Sequence, residues 1–187
     1  MRGSLLRRRV QGQKPGGFTL LEVLIAISVL AVAVGLTGST IVSISNYAQV
    51  AKENSLARAA LSTQLQILQS YPFADVFRDF NESDADDTSV DAPGPGFDVL
   101  GLNPVQGDPD GRVGRFELPT PATDPTVLRE DLMLPDLGMP ADLNADGLFD
   151  DQDHSGDYRM LPMRIILEWD GRMGPSQLTL ETVIGSW

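Results

Sequence analysis

The chain has 187 residues, 26 acidic against 14 basic side chains, one histidine and no cysteine, enough for one domain of ordinary size plus an appendage. The lack of cysteine excludes disulfides, thiolate metal sites and cysteine nucleophiles. With His154 alone and no serine in a GxSxG-type setting, the composition points away from an enzyme. Charge is unevenly placed: residues 1–17 hold five basic side chains and no acid, leaving nine basic against 26 acidic in the rest. So acidic a body repels phosphate backbones, and no direct nucleic-acid binding is expected.

Residues 1–17, MRGSLLRRRVQGQKPGG, form a basic leader. From Phe18 to Ile44 the only ionisable residue is Glu22, and no proline interrupts. As a helix this stretch would span about 40 Å, enough to cross a bilayer with tilt. Basic residues before it and acids after it place the leader in the cytoplasm and send the body across. Ala31-Val32-Ala33 has the form of a signal-peptidase site. The apolar run nevertheless continues through Val34, Leu36, Ile41 and Val42, and an acid lies inside the supposed signal core. A plain anchor accounts for the length but not for Glu22, since a carboxylate at a membrane helix centre costs about 2.5–3.5 kcal/mol, less near an end.

GGFTLLEVLIAISVLAVAVGL, residues 16–36, together with its basic leader, resembles the N-terminal motif of type IV pilins and of the pseudopilins of type II secretion systems. The resemblance implies that a prepilin peptidase cuts after Gly17 and that Phe18 is then N-methylated. It also implies that Glu22, fifth in the mature chain, sets register as subunits join a filament. The implied partners are the peptidase, other pilin or pseudopilin subunits, an inner-membrane assembly platform and the lipid bilayer. Cleavage would free an α-ammonium one helical turn from Glu22, so ammonium and carboxylate can neutralise one another within or between subunits. The competing reading is an unprocessed anchor whose Glu22 reaches the interface. Retention of Glu22 argues against the tip pseudopilin that lacks this acid.

The periodicity predicts that the filament-core segment, residues 18–45, continues as an amphipathic helix over 46–71. Tyr47, Val50, Asn54, Ala57, Leu61, Leu65 and Leu68 recur at three- and four-residue spacing, with Lys52, Glu53, Arg58 and Gln66 off the stripe. Tyr71-Pro72 ends it, because the residue before proline disfavours helical geometry. Residues 72–187 read as a β-rich domain. NESDADDTSVDAPGPG, residues 81–96, is a solvated acidic loop. FDVLGL (97–102) and VGRFEL (113–118) read as short strands, while 126–134 fits strand or short helix. Met163, Ile165, Leu167 and Trp169, then Leu178, Leu180, Thr182 and Ile184, alternate with polar residues around GRMGPS. That pattern predicts an antiparallel hairpin with one buried face. The expected class is α+β: a long N-terminal helix packed on a small antiparallel sheet, as in the pilin roll.

DLNADGLFDDQD, residues 142–153, places oxygen-bearing side chains at positions 1, 3, 5, 9 and 12 (Asp142, Asn144, Asp146, Asp150, Asp153). Gly147 stands at position 6, and Leu148 offers its carbonyl at 7. This is calcium-loop spacing, and it resembles dockerin- and thrombospondin-type loops more than an EF-hand ending in glutamate. Calcium would gather six acids between 142 and 157 that otherwise repel. The neighbouring His154 is expected to face solvent or hydrogen-bond rather than ligate, since calcium takes oxygen. The leading functional expectation is a structural subunit, minor in view of its long acidic insertions, of a type IV pilus-like or type II secretion filament. Its body would be periplasmic or extracellular. The alternatives are an unprocessed, membrane-tethered calcium-binding module and a competence-type minor pilin in DNA uptake.

Overall fold

Two long-range patterns, one of period 3.6 and one of period 2, dominate the computed structural model, which describes residues 16–186. Most of the basic leader therefore lies outside the described residues. The chain divides into two units, residues 1–45 and 46–187.

Helix α1 runs Leu20–Ser70 without a break. Its apolar first half belongs to the N-terminal unit and its amphipathic second half to the body. In the body, Ala57, Leu61 and Leu68 are buried in the common core, as the stripe predicts. Tyr47 and Asn54, also predicted on the stripe, are exposed, and Glu53, predicted off it, is buried. The reason is a partner distant in sequence. The Glu53 carboxylate accepts the Arg172 backbone N–H at 3.1 Å and the Gln49 side-chain amide at 3.0 Å. It thereby satisfies the turn at the end of the β-hairpin, and a buried carboxylate so bonded is tolerable.

A second helix, α2 (Phe73–Phe80), follows Pro72 directly. It buries Val76, Phe77 and Phe80, and Phe80 meets the Phe116 ring edge-to-face at 4.9 Å. Proline just ahead of a helix and apolar residues at i, i+3, i+4 and i+7 are its sequence signature.

Four antiparallel strands make one sheet in the order β1 (Gly96–Phe97), β2 (Gly114–Glu117), β3 (Met160–Gly171) and β4 (Gly174–Gly185). The fold is α+β. Strands β3 and β4 pair over their whole lengths, from Met160 opposite Gly185 to Gly171 opposite Gly174, so the predicted hairpin is present and longer than its apolar repeat. On β4, Leu178, Leu180 and Ile184 lean on the core while Gln177, Thr179 and Glu181 face out, as alternation requires. β3 differs from expectation. Ile166, on the opposite face from Met163, Ile165, Leu167 and Trp169, is buried as well, between its cross-strand neighbours Arg115 on β2 and Thr179 on β4. A side chain at Gly171 would be crowded: its Cβ would meet Ser176 Oγ at 3.0 Å and Glu53 Oε2 and the Gly174 carbonyl at 3.1 Å.

Of the other expectations, VGRFEL keeps a strand at Gly114–Glu117, FDVLGL contributes only Phe97 to β1, and 126–134 is neither strand nor helix. The acidic loop after α2 is fastened at its root by Asp79, which is fully buried and accepts the Tyr71 hydroxyl at 2.6 Å, the Thr88 amide at 2.7 Å and the Thr88 hydroxyl at 2.5 Å. Burial alone would raise the Asp79 pKa. The Thr88 and Tyr71 donors outweigh it and hold the carboxyl below its ordinary range. That hydrogen bond to Asp79, with burial adding to it, pushes the Tyr71 phenol up to about 12.

Candidate functional site

At the N-terminal end, Gly17, Phe18 and Thr19 precede the first helical residue, and Phe18 is 82% exposed. The Thr19 hydroxyl accepts the Glu22 backbone N–H at 3.2 Å. Thr19-Leu20-Leu21-Glu22 is therefore a capping sequence, and Glu22 sits in the first turn, where the helix dipole favours an acid. Sequence reasoning overlooked this although the T-x-x-E spacing announces it. The bond holds the Glu22 backbone N–H, and its carboxylate remains exposed in the first helical turn.

Every residue from Leu20 to Ser45 is exposed, large apolar side chains included. By length and composition the helix is able to cross a membrane. Its hydroxyls suit an apolar setting. Ser28, Thr37, Ser39, Thr40 and Ser43 each donate to a backbone carbonyl three or four residues earlier, at 2.8–3.0 Å.

The second site is the turn that opens the 142–153 segment. Asp142 accepts the Asp146 amide at 3.1 Å and the Gly147 amide at 2.8 Å, Asn144 Oδ1 accepts the Asp146 amide at 3.0 Å, and Asp146 accepts the Leu148 amide at 2.8 Å. Ala145 and Gly147 adopt left-handed backbone, φ 65° and 85°, which lets the chain double back around Asp146. Glycine does so freely, alanine at about 1–2 kcal/mol.

Beneath this turn lies Glu130, which sequence reasoning missed. It is 1% exposed, and its Oε1 accepts the Leu143 and Asn144 amides at 2.6 and 3.1 Å. Among the described residues, ligand atoms of two triads come within 4.8 Å of one another: Glu130–Asp142–Asp146 and Glu130–Asp150–His154. Of the sequence-predicted ligands, Asp142 and Asp146 are thus brought together, and Asp150 falls in the other triad. Asn144 points its amide nitrogen toward Asp146 at 3.3 Å and His154 at 3.4 Å. The Leu148 side chain is exposed. Asp153 belongs to neither triad: its carboxylate accepts the Leu128 and Ser155 amides at 3.1 and 3.0 Å.

His154 is buried rather than solvent-facing, and it does hydrogen-bond: Nε2 lies 3.0 Å from Asp150 and Nδ1 3.1 Å from Asp157. Burial works against the imidazolium. The bonds to Asp150 and Asp157, with the nearby Glu130 charge, prevail and lift its pKa above the ordinary histidine value. Asp150 is held below its ordinary range by the Gln152 amide and then by His154.

No curated protein and no solved structure matches the chain. Residues 13–38 match the family model of the prokaryotic N-terminal methylation motif. The motif implies processing by a prepilin peptidase and supports a type IV pilin-like chain with a structural, non-enzymatic role.

Proposed function

We propose that this protein is a minor structural subunit of a type IV pilus-like or type II secretion pseudopilus filament. The peptidase removes the basic leader after Gly17, and Phe18 is methylated. The apolar half of α1 rests in the cytoplasmic membrane until the subunit is drawn into the filament, with the acidic body on the periplasmic or extracellular side. One observation carries this reading: the methylation motif opens directly onto a helix whose apolar side chains, Leu20 to Ile44, find no cover among the described residues of the chain. Such a surface calls for lipid first and neighbouring helices afterwards. Glu22 then pairs with an α-ammonium of its own or an adjacent subunit, which offsets the cost of placing an acid among apolar helices.

We also propose that the 142–153 loop takes calcium, on the strength of its ligand spacing and of the convergence of Asp142 and Asp146. The ion would be structural.

The second reading, an unprocessed tether, draws support from the place of Glu22 in the first turn of α1, where the helix dipole favours an acid without processing. Co-expression with a prepilin peptidase separates the two. A product shortened to Phe18 supports the filament subunit, and a product that keeps the leader supports the tether.

A further inference from the structure

We propose that Glu130 is the anchoring ligand of a divalent, oxygen-preferring cation, calcium, held between residues 126–134 and the 142–147 turn, with Asp142 and Asp146 as its other carboxylates. The inference rests on the calcium reading of the loop and revises its ligand set.

The carrying observation is one atom. Glu130 is 1% exposed, and while Oε1 takes two amides, Oε2 has no hydrogen-bond partner. Its approach to a cationic group, His154 Nε2 at 3.9 Å, is beyond hydrogen-bonding reach. A buried carboxylate oxygen left bare is costly, and the cost grows when two more carboxylates crowd the same space. Glu130, Asp142 and Asp146 offer oxygens within 4.8 Å of one another. Two oxygens on one calcium ion lie no farther apart than twice the bond length, about 5 Å, so this spread fits a single ion.

The neighbouring triad with His154 suits a metal less well. Both imidazole nitrogens are already within hydrogen-bonding distance of carboxylates, Asp150 on one side and Asp157 on the other, so neither presents a free lone pair. Asp153 belongs to neither group of converging ligand atoms. The ion therefore sits at the start of the 142–153 segment and clasps it to Glu130, instead of being encircled by all twelve residues.

The test uses the full chain in detergent micelles, with calcium chloride titrated by calorimetry and thermal unfolding followed in parallel. The wild type should bind one ion and melt higher with calcium. Glu130→Gln, which keeps an amide oxygen for Leu143 and Asn144, should weaken binding about tenfold or more, since affinity follows the number of charged ligands. Asp146→Asn, at an exposed position, should do the same and covers the case in which the Glu130 variant misfolds. Asp153→Asn should bind within about twofold of wild type, the ordinary scatter for a residue that is not a ligand. If Glu130→Gln binds as wild type does while Asp142→Asn loses the ion, the Glu130 assignment is overturned and the loop reading stands. If Asp153→Asn loses the ion as well, the ligand set proposed here fails. No calcium binding by the wild type overturns both readings, and tighter binding of zinc than of calcium overturns the choice of triad.

Discussion

The two halves of helix α1 have the same backbone and opposite fates. From Leu20 to Ser45 all side chains are exposed, whereas between Asn46 and Ser70 the helix buries Glu53, Ala57, Leu61 and Leu68. The first half is the more apolar, yet the second is the one with a core to enter. Burying a Leu, Ile or Val is worth about 1.5–3 kcal/mol, a gain that the first half can realise only in lipid or against other helices. Its acid differs in the same way. The Glu53 carboxylate is buried and bonded to the hairpin turn, while Glu22 is exposed in a helix end that Thr19 caps. The core of the body holds one half in place; the first half is shaped for surroundings outside the chain.

Glu22→Ala sharpens that contrast most. Because Glu22 belongs to the N-terminal unit and is exposed there, membrane insertion and the melting of the body should be unchanged, while incorporation into filaments, scored by shearing and immunoblotting, should be lost. Wild-type incorporation would remove Glu22 from assembly.

Truncating apolar side chains in the two units comes next. Phe77→Ala, at a fully buried position, should cost about 3–5 kcal/mol in denaturant unfolding of the detergent-solubilised chain. Leu36→Ala, at a position 65% exposed, should change it by less than about 0.5 kcal/mol. Equal losses would mean that the first half packs on the body.

Glu53→Ala leaves the Arg172 amide and the Gln49 side chain without their acceptor and should destabilise the body by about 1–3 kcal/mol. The smallest effect concerns pH. The Asp79 carboxyl is held below its ordinary value, so the stability it contributes is present above the unfolded-state pKa, about 3.9, and is lost as pH falls through the folded one. Wild type should therefore lose denaturant resistance on acidification below about pH 4 more steeply than Asp79→Asn. Parallel slopes would mean that the loop root does not depend on this charge.

Features with a short repeat were legible in the amino-acid sequence. Leu178 to Ile184 alternate and Ala57, Leu61 and Leu68 recur, and the hairpin and the helix face follow directly. Helix α2 and the Thr19 cap were legible too, through Phe73, Val76, Phe77 and Phe80 and through T-x-x-E, but each is brief and adjoins a stronger pattern. Glu53 and Glu130 were not legible. A glutamate reads as solvated unless its donor is known, and these donors come from elsewhere in the chain: Arg172 is 119 residues from Glu53, and Leu143 is 13 from Glu130. The 142–153 spacing disclosed the turn but not the acid beneath it.

The most direct test of the account is the mass of the intact protein recovered from cells that carry a prepilin peptidase. The account predicts a chain beginning at Phe18 and bearing one added methyl group on its amine. A chain that still carries its arginine-rich leader, or one cut after Ala33, would contradict it.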